Sequence, residues 1–403
     1  MALKRKKFRT IIIIVLFFVY FVLAARPVPR EVILAPKWIS SLQSQTLSSE
    51  QESPPGSESL LVNISGDVQE TGRQNLKLLP FILGSHFGYV DSSGQFTVNR
   101  NIINNIYLSN DMWSEYNAEP ARIEIKNIQE ETIINIENPQ GYPVLLDNRV
   151  FILGSEQNSL SEIDRNGNIR WSYEFGSPLT CVDAGAGLLL TGSLDGIIEI
   201  FNYYGERIFY FEPGGSRYGI ILGCAVSGDG SRIGIISGID QQRFLLLERF
   251  GNSDGESGGD YKVVYHEFLD DGFRRHVRIL FVDEDRRLVF ERSGGINCYN
   301  IRTRQGIFIP LDGEIKIIED SGDQGFLFLV TSHGFFEKKL IGINFPQDSW
   351  FPFSFSSKNG FTDTDAIFLK APFKSDDVFL GRTGTMLVAG GGTALISFVL
   401  EEN

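Results

Sequence analysis

The sequence predicts an all-β protein: a β-propeller, seven blades of four-stranded antiparallel sheets, preceded by one N-terminal membrane helix. Composition is the first observation, because 42 glycines and 32 phenylalanines among 403 residues are typical of short apolar strands joined by tight turns. The second is that no segment after Leu60 shows a sustained 3.6-residue apolar period. The third is an apolar hairpin unit that recurs along the chain.

The N-terminal segment predicts export across the cytoplasmic membrane. Lys4, Arg5, Lys6, Lys7 and Arg9 form a basic block, and an uninterrupted apolar run follows over residues 11–25. Basic residues stay on the cytoplasmic side, so the rest of the chain should lie outside that membrane. We expect an uncleaved anchor with these lipid-facing residues: Ile11, Ile14, Leu16, Phe18, Phe21 and Leu23. A cleaved signal sequence that releases the protein to the periplasm is the alternative.

The segment that follows predicts a tether and then a single large domain. Residues 41–60 are rich in Ser, Gln, Glu and Pro and offer almost nothing to bury, as in flexible linkers. The predicted organisation is a cytoplasmic segment over residues 1–10, an anchor or signal over 11–25, an extracytoplasmic linker over 26–59 and a propeller over 60–403.

The recurring unit is an apolar triplet, a short turn of small residues and a second apolar strand. Its seven copies start at Phe81, Phe151, Leu188, Ile233, Leu288, Phe326 and Met386. Each copy is a small meander that would expose a face and two edges on its own, and radial packing covers them. The widest gap follows the first copy, and an insertion or an eighth, degenerate blade could occupy it. A β-sandwich is the competing fold.

Several copies resemble known propeller repeats. The stretch "LLLTGSLDGIIEIFN" is similar to a WD-repeat hairpin, with Asp195 and Gly196 at its turn. In "IDRNGNIRWSYEF", Gly167 and Trp171 match the turn glycine and outer-strand tryptophan of quinoprotein-type repeats, which bind pyrroloquinoline quinone. The chain is therefore identified as a divergent WD-repeat or quinoprotein-like propeller. The Trp-Asp ending and the Gly-His pair of WD repeats are missing, so no WD-repeat partner surface can be carried over.

The last copy ends close to the C-terminus and lacks a fourth strand. Propellers often close their ring with a strand from the other terminus. We expect the β-prone segment Leu60–Ser65, or sequence near it, to complete the last blade.

The sequence offers little chemistry, and we expect no catalytic residue, no bound metal and no cofactor. The four histidines show no metal-ligand spacing, and no nucleophile elbow or P-loop is present. The acidic stretch 252–262 does not match an EF-hand loop, and we interpret it as a solvated insertion. The aromatic stretch 349–361 alternates at strand period, which favours a core strand over an exposed contact patch.

The predicted function is that of a membrane-tethered, non-catalytic scaffold that binds another envelope protein. The net charge of −13 argues against nucleic acid as a partner. The candidate partner surface is a loop of mixed charge, with these residues: Asp270, Asp271, Phe273, Arg274, Arg275 and His276. The alternative is a propeller enzyme or ligand-binding protein that acts on an envelope glycan or small molecule at the central channel, which would require two carboxylates near the axis.

Overall fold

The computed structural model describes residues 32–42, 78–251, 260–322, 325–345 and 366–402. Within these ranges the protein is all-β, with 31 strands in eight sheets and no α-helix. Residues Pro36–Val399 form one compact unit, which contains the eight sheets except for the ends of two strands. The other unit comprises Met1–Ala35 and Leu400–Asn403, and its described residues are strand ends.

Each sheet is one blade, and blades are numbered along the chain. Blade 1 contains Leu79–Leu83 (β2), His86–Val90 (β3) and Phe96–Asn101 (β4). Blade 2 contains Asn105–Leu108 (β5), Met112–Tyr116 (β6), Arg122–Asn127 (β7) and Thr132–Glu137 (β8). Blade 3 contains Gly141–Leu146 (β9), Arg149–Gly154 (β10), Ser159–Ile163 (β11) and Ile169–Glu174 (β12). Blade 4 contains Leu179–Gly185 (β13), Leu188–Ser193 (β14), Ile198–Phe201 (β15) and Arg207–Phe211 (β16).

The second half of the propeller repeats the same order. Blade 5 contains Ile221–Val226 (β17), Arg232–Ser237 (β18), Gln242–Phe250 (β19) and Asp260–Leu269 (β20). Blade 6 contains Ile279–Val282 (β21), Arg287–Arg292 (β22), Gly295–Asn300 (β23) and Gln305–Pro310 (β24). Blade 7 contains Glu314–Asp320 (β25), Phe326–His333 (β26), Glu337–Asn344 (β27) and Ile367–Lys374 (β28). Blade 8 contains Val378–Thr383 (β29), Met386–Gly391 (β30), Ala394–Glu402 (β31) and Val32–Ser41 (β1).

The propeller has eight blades, so the prediction of seven is wrong. Blade 2 is the missed one, and it lies in the widest gap between the predicted copies. Its second strand, Met112–Tyr116, is not a run of three apolar residues followed by glycine, because Ser114 and Glu115 interrupt it. The predicted four strands per blade hold for seven sheets, and blade 1 has three strands in the described part of the chain.

The fold class also included a membrane helix, and the described structure contains none. Among the described residues, no helix has the length and apolar character needed to cross a bilayer. The predicted anchor over residues 11–25 lies outside the described ranges. The two stretches interpreted as a solvated insertion and an aromatic core strand, 252–262 and 349–361, lie wholly or largely outside them too.

A strand from the N-terminal part of the chain completes blade 8, as expected, but it is a different segment. The strand beside β31 is β1, Val32–Ser41, which falls within the stretch 26–59 predicted as linker. Trp38 Nε1 donates to the Ser92 carbonyl at 3.0 Å, and Ser40 Oγ donates to the Gly94 carbonyl at 2.6 Å. These bonds hold Pro36–Ser41 against the β3–β4 turn of blade 1. The predicted segment Leu60–Ser65 lies outside the described residues.

The core is divided among the junctions between blades. One cluster joins blades 4 and 5 through Leu190, Ile200, Ile233 and Leu245, all almost fully buried. Similar clusters join blades 2 and 3, 3 and 4, 5 and 6, 6 and 7, and 8 and 1. Alternate residues of each blade face the preceding and following blades, so both faces of a sheet are apolar. This burial explains the continuous apolar runs of strands such as β14.

Candidate partner-binding surface

The antiparallel order of the strands gives the propeller two distinct faces. The turns between first and second strands, and between third and fourth strands, lie at one end of each four-stranded blade, here called the turn face. The turns between second and third strands, and the links from one blade to the next, lie at the other end, called the connection face. Loops at the ends of rigid sheets are where propellers and other scaffolds present contact residues.

All six predicted partner-surface residues lie on the connection face, in the link between β20 and β21. Asp270, Arg274 and His276 are exposed, whereas Asp271 and Phe273 are partly buried. The structure thus brings the predicted residues into one loop, 270–278, between blades 5 and 6. Their role in binding stays a prediction.

Buried polar groups from both neighbouring blades fix the conformation of this loop. The fully buried Gln242 side chain donates to the Phe273 carbonyl at 2.5 Å and accepts from the Phe273 N–H at 3.3 Å. The buried Asp271 carboxylate accepts from Arg292 and from the Ser293 N–H. A loop whose buried polar groups are satisfied in this way keeps one conformation, because breaking any bond leaves an unpaired buried group.

An ion pair adds a third attachment. Arg275 donates to both carboxylate oxygens of Glu291, at 3.0 and 2.5 Å, and Arg278 lies 3.8 Å from the same carboxylate. Glu291 is buried, so two arginines neutralise one desolvated carboxylate. The Arg275 guanidinium also lies 4.7 Å from the Phe273 ring. Asp271 and Arg275 therefore act within the protein, and the contact groups of the loop are Asp270, Arg274 and His276.

The environment of His276 keeps its imidazole neutral at pH 7. Desolvation lowers the pKa of His276, the Arg278 and Arg275 charges lower it further, and only Glu291 opposes them. A neutral imidazole both donates and accepts, which suits a polar contact.

The structure adds exposed apolar side chains that sequence reasoning missed. On blades 4 to 7 the connection face exposes these large apolar side chains: Leu194, Tyr218, Phe268, Phe308, Phe335 and Phe336. The most exposed are Phe335 (69%) and Phe336 (56%), whose ring centroids lie 4.8 Å apart, edge to face. Neighbouring exposed phenylalanines are an unfavourable surface for water and mark a contact site.

A buried lysine holds the turn that carries this pair. Lys338 Nζ donates to Ser332 Oγ at 3.0 Å and to the Phe335 carbonyl, and the Lys338 side chain is almost fully buried. The Phe336 carbonyl accepts from the Ser375 N–H of the neighbouring link at 2.9 Å. The tip is thus fixed before any partner arrives, which reduces the ordering cost of binding. The Phe-Phe doublet between two strands was the signal in the sequence that could have located it.

Arginines accompany the aromatic residues across this face. Four arginine–aromatic contacts occur, with guanidinium carbons 4.7–5.9 Å from ring centroids: Arg217–Tyr218, Arg243–Phe268, Arg275–Phe273 and Arg292–Phe308. Cation–π contacts of this kind are stabilising in partly desolvated sites. Tyrosine, phenylalanine and arginine are enriched at protein–protein interfaces, so the composition of this face matches that of a binding surface.

Two carboxylates from first strands of blades bind backbone of the adjacent blade. On the turn face, Asp183 accepts from the Val226 N–H at 2.8 Å, and Asp320 accepts from the Asp283 N–H at 3.2 Å. Burial raises the pKa of Asp183 to about 6, with a contribution from Asp147, and burial also raises the pKa of Asp320. These groups join blades. Within the described ranges, no three His, Cys, Asp or Glu side chains are placed to hold a metal ion, and Cys181, Cys224 and Cys298 are buried free thiols.

Comparison with known proteins agrees with this architecture. A family model described as "beta-propeller protein" matches residues 1–400. The chain belongs to this β-propeller family. A curated protein of Treponema pallidum (strain Nichols), described as "Uncharacterized protein", is 27% identical over 316 residues, which are 78% of each chain.

Two solved structures share the fold at low identity. The computationally designed protein Ika8 has a TM-score of 0.55 and 11% identity, over 81% of this chain and 97% of that one. BamB from Moraxella catarrhalis has a TM-score of 0.52 and 10% identity, over 91% of this chain and 100% of that one. At these identities the likeness concerns the fold alone. The WD-repeat and quinoprotein resemblance is thereby supported at the level of a β-propeller repeat protein.

Proposed function

We propose that this propeller is a protein-interaction scaffold, held at the outer side of the cytoplasmic membrane by residues 11–25, that binds an envelope protein through the connection face of blades 4 to 7. The observation that carries the proposal is the fixed, exposed pair Phe335–Phe336, which lies on the same face as the ordered loop 270–278. On the turn face, the carboxylates of Asp183 and Asp320 are already engaged between blades.

The expected interface has an apolar centre and a polar rim. Phe335, Phe336 and Phe268 supply the apolar contacts, and Arg274, Asp270 and His276 supply polar ones. Arg274 has no hydrogen-bond or ion-pair partner within the described ranges, so its five donors are available to a carboxylate of the partner. A few such side chains carry most of the binding energy of an interface.

Site-specific photocrosslinking tests this proposal in cells that express the protein at native level. A photoreactive amino acid at Phe335 should yield one defined adduct, identified by mass spectrometry. The matched control is the same amino acid at Tyr204, which is exposed on the turn face of blade 4. An adduct pattern that is the same at both positions, or no adduct at Phe335, would contradict the proposal.

Membrane attachment is tested separately. The full chain should sediment with the membrane fraction and resist extraction by carbonate, and a variant that begins at residue 26 should not. A protease added outside the cytoplasmic membrane should degrade the C-terminal domain only after that domain has been unfolded. Recovery of the full-length chain in the soluble fraction would contradict the anchor.

A further inference from the structure

A groove on the turn face between blades 5 and 6 has features that the scaffold function does not use. It encloses about 600 Å³. Four arginines and three carboxylates line it: Arg232, Arg286, Arg302, Arg304, Glu248, Glu284 and Asp285. In a chain of net charge −13, a site where arginines outnumber carboxylates is a local reversal of charge.

Arg304 occupies a backbone position that disfavours a side chain. It is the last residue of the turn between β23 and β24 in blade 6, and its φ is 56°. In the third-to-fourth-strand turns of three other blades, the residue with positive φ is a glycine: Gly94, Gly167 and Gly205. A non-glycine residue in this left-handed region costs about 1 kcal/mol. The sequence therefore retains an arginine where glycine would be more stable.

The third-to-fourth-strand turn of blade 2 shows what offsets such a cost. Glu130 has φ of 65°, and its carboxylate accepts from Arg100 of blade 1 at 2.9 and 2.5 Å. The strained residue there joins two blades through an ion pair. Arg304 has no hydrogen-bond or ion-pair partner within the described ranges, so no comparable internal contact offsets its strain.

A second turn that lines the groove is strained as well. Asp283, Glu284 and Asp285, in the turn between β21 and β22, have φ of 56°, 53° and 62°. L-residues visit the left-handed region singly, and three in succession are unusual. Strained backbone of this kind concentrates at binding sites.

The carboxylates of the groove are already engaged, and so are Arg232 and Arg286. Glu248 pairs with Arg232 at 3.2 Å, and Glu284 lies 3.6 Å from Arg286. Asp285 accepts from the Gly228 N–H of blade 5 at 2.7 Å. The uncommitted charge is thus that of Arg304.

A buried hydroxyl behind the groove also lacks a partner. Tyr299 is fully buried, and its Oη has no hydrogen-bond partner. The charges of Arg304 and Glu248, both of which line the groove, act on the Tyr299 phenol: Arg304 lowers its pKa and Glu248 raises it. An unpaired buried hydroxyl is costly, and native proteins retain few of them.

We infer that this groove binds an oxyanion, a phosphate- or carboxylate-bearing ligand, through the guanidinium of Arg304. The planar fork of arginine donates two parallel hydrogen bonds to either kind of oxyanion. The backbone strain in the two turns of blade 6 that line the groove is then the cost of presenting Arg304 to the ligand. This site lies on the face opposite the proposed partner surface, so either assignment stands without the other.

Isothermal titration with inorganic pyrophosphate and, separately, with citrate tests the inference at 150 mM NaCl, where weak surface attraction is screened. The decisive variant is Arg304→Gly. It should raise the thermal midpoint by about 1–3 °C, because glycine fits the turn, and weaken binding at least about tenfold. Arg122→Ala removes one exposed charge elsewhere, and Glu130→Gly changes the equivalent turn; both should bind like the wild type.

The two probes also separate the ligand classes. Binding of pyrophosphate alone assigns a phosphate ligand, binding of citrate alone assigns a carboxylate ligand, and binding of both assigns a site that accepts either oxyanion. The inference is overturned if the wild type binds neither probe or if Arg304→Gly binds equally well. A lower thermal midpoint for Arg304→Gly would also overturn it, because Arg304 would then serve the fold.

Discussion

The turn face and the connection face of this propeller use their buried carboxylates for different purposes. On the turn face, buried carboxylates such as Glu162 and Asp183 bind arginine or the backbone of the next blade. On the connection face, polar groups position loop 270–278, and large aromatic side chains remain exposed. The buried carboxylates of the turn face hold strands and blades together, whereas those of the connection face fix a loop that leaves Asp270, Arg274 and His276 exposed. Four predictions test this contrast, from the largest effect to the smallest.

Removal of Glu162 should cause the largest loss of stability. Glu162 and Arg149 are both buried, and Arg149 Nη2 donates to Glu162 at 2.6 Å. Glu162→Ala would leave the buried Arg149 guanidinium without a counter-ion, at a cost of about 3–5 kcal/mol in the free energy of unfolding. Guanidinium-induced unfolding followed by circular dichroism measures it. The control is Glu248→Ala, whose half-exposed pair with Arg232 should contribute less than about 1 kcal/mol; equal losses would remove the contrast.

Asp183 should make the turn face sensitive to pH. Its folded pKa of about 6 lies above the ordinary value of 3.8, so the folded state binds a proton more tightly than the unfolded state. Its stabilising contribution is complete below about pH 4 and is lost as pH rises through 6, by about 3 kcal/mol in all. In the Asp183→Asn variant, we expect the free energy of unfolding to change less between pH 5 and pH 7.5 than it does in the wild type. Parallel pH profiles for variant and wild type would refute this.

Glu291 should affect one loop of the connection face more than the whole fold. Glu291→Ala removes the acceptor of Arg275, which is partly exposed, so we expect a loss of about 1–3 kcal/mol. Amide hydrogen exchange over residues 270–278 should accelerate, while exchange in blades 2 and 3 should not change. Uniformly faster exchange would show that the pair supports the entire ring.

The exposed phenylalanines should contribute least to stability. The double variant Phe335→Ser with Phe336→Ser should change the unfolding free energy by no more than about 0.5 kcal/mol, because both rings already face water. Partner adducts from a photoreactive residue at Phe268 should disappear in the same variant. A loss of stability above about 1.5 kcal/mol would show that the pair is part of the core.

The repeat could be predicted from sequence wherever a blade combines an apolar second strand with glycine at its turns, as in Leu188–Ser193. Blade 2 was not predicted, because Trp113 is the main buried side chain of its second strand and Glu130 replaces the turn glycine. The closing strand was missed for a related reason. Pro36 and Lys37 interrupt the apolar pattern of Val32–Ser41, and its pairing with β31 depends on a partner more than 350 positions away.

The candidate surface divides in the same way. Mixed charge located loop 270–276, but charge alone does not distinguish Arg275, which is paired with Glu291, from Arg274, which has no such partner in the described ranges. Phe328 and Phe335 lie in one copy of the repeat, and only one of them is buried. Whether a phenylalanine is exposed depends on the side chains that pack against it, and these come from other blades.

The sequence by itself determined the kind of fold, because alternation, turn glycines and the recurrence of a hairpin are local features that each blade carries within about 40 residues. The tertiary structure decided the number of blades, the strand that completes the ring, and which aromatic and arginine side chains remain available on each face. These depend on contacts between blades, in which the partner of a residue is set by ring closure and burial, and neither leaves a periodic signal in the chain.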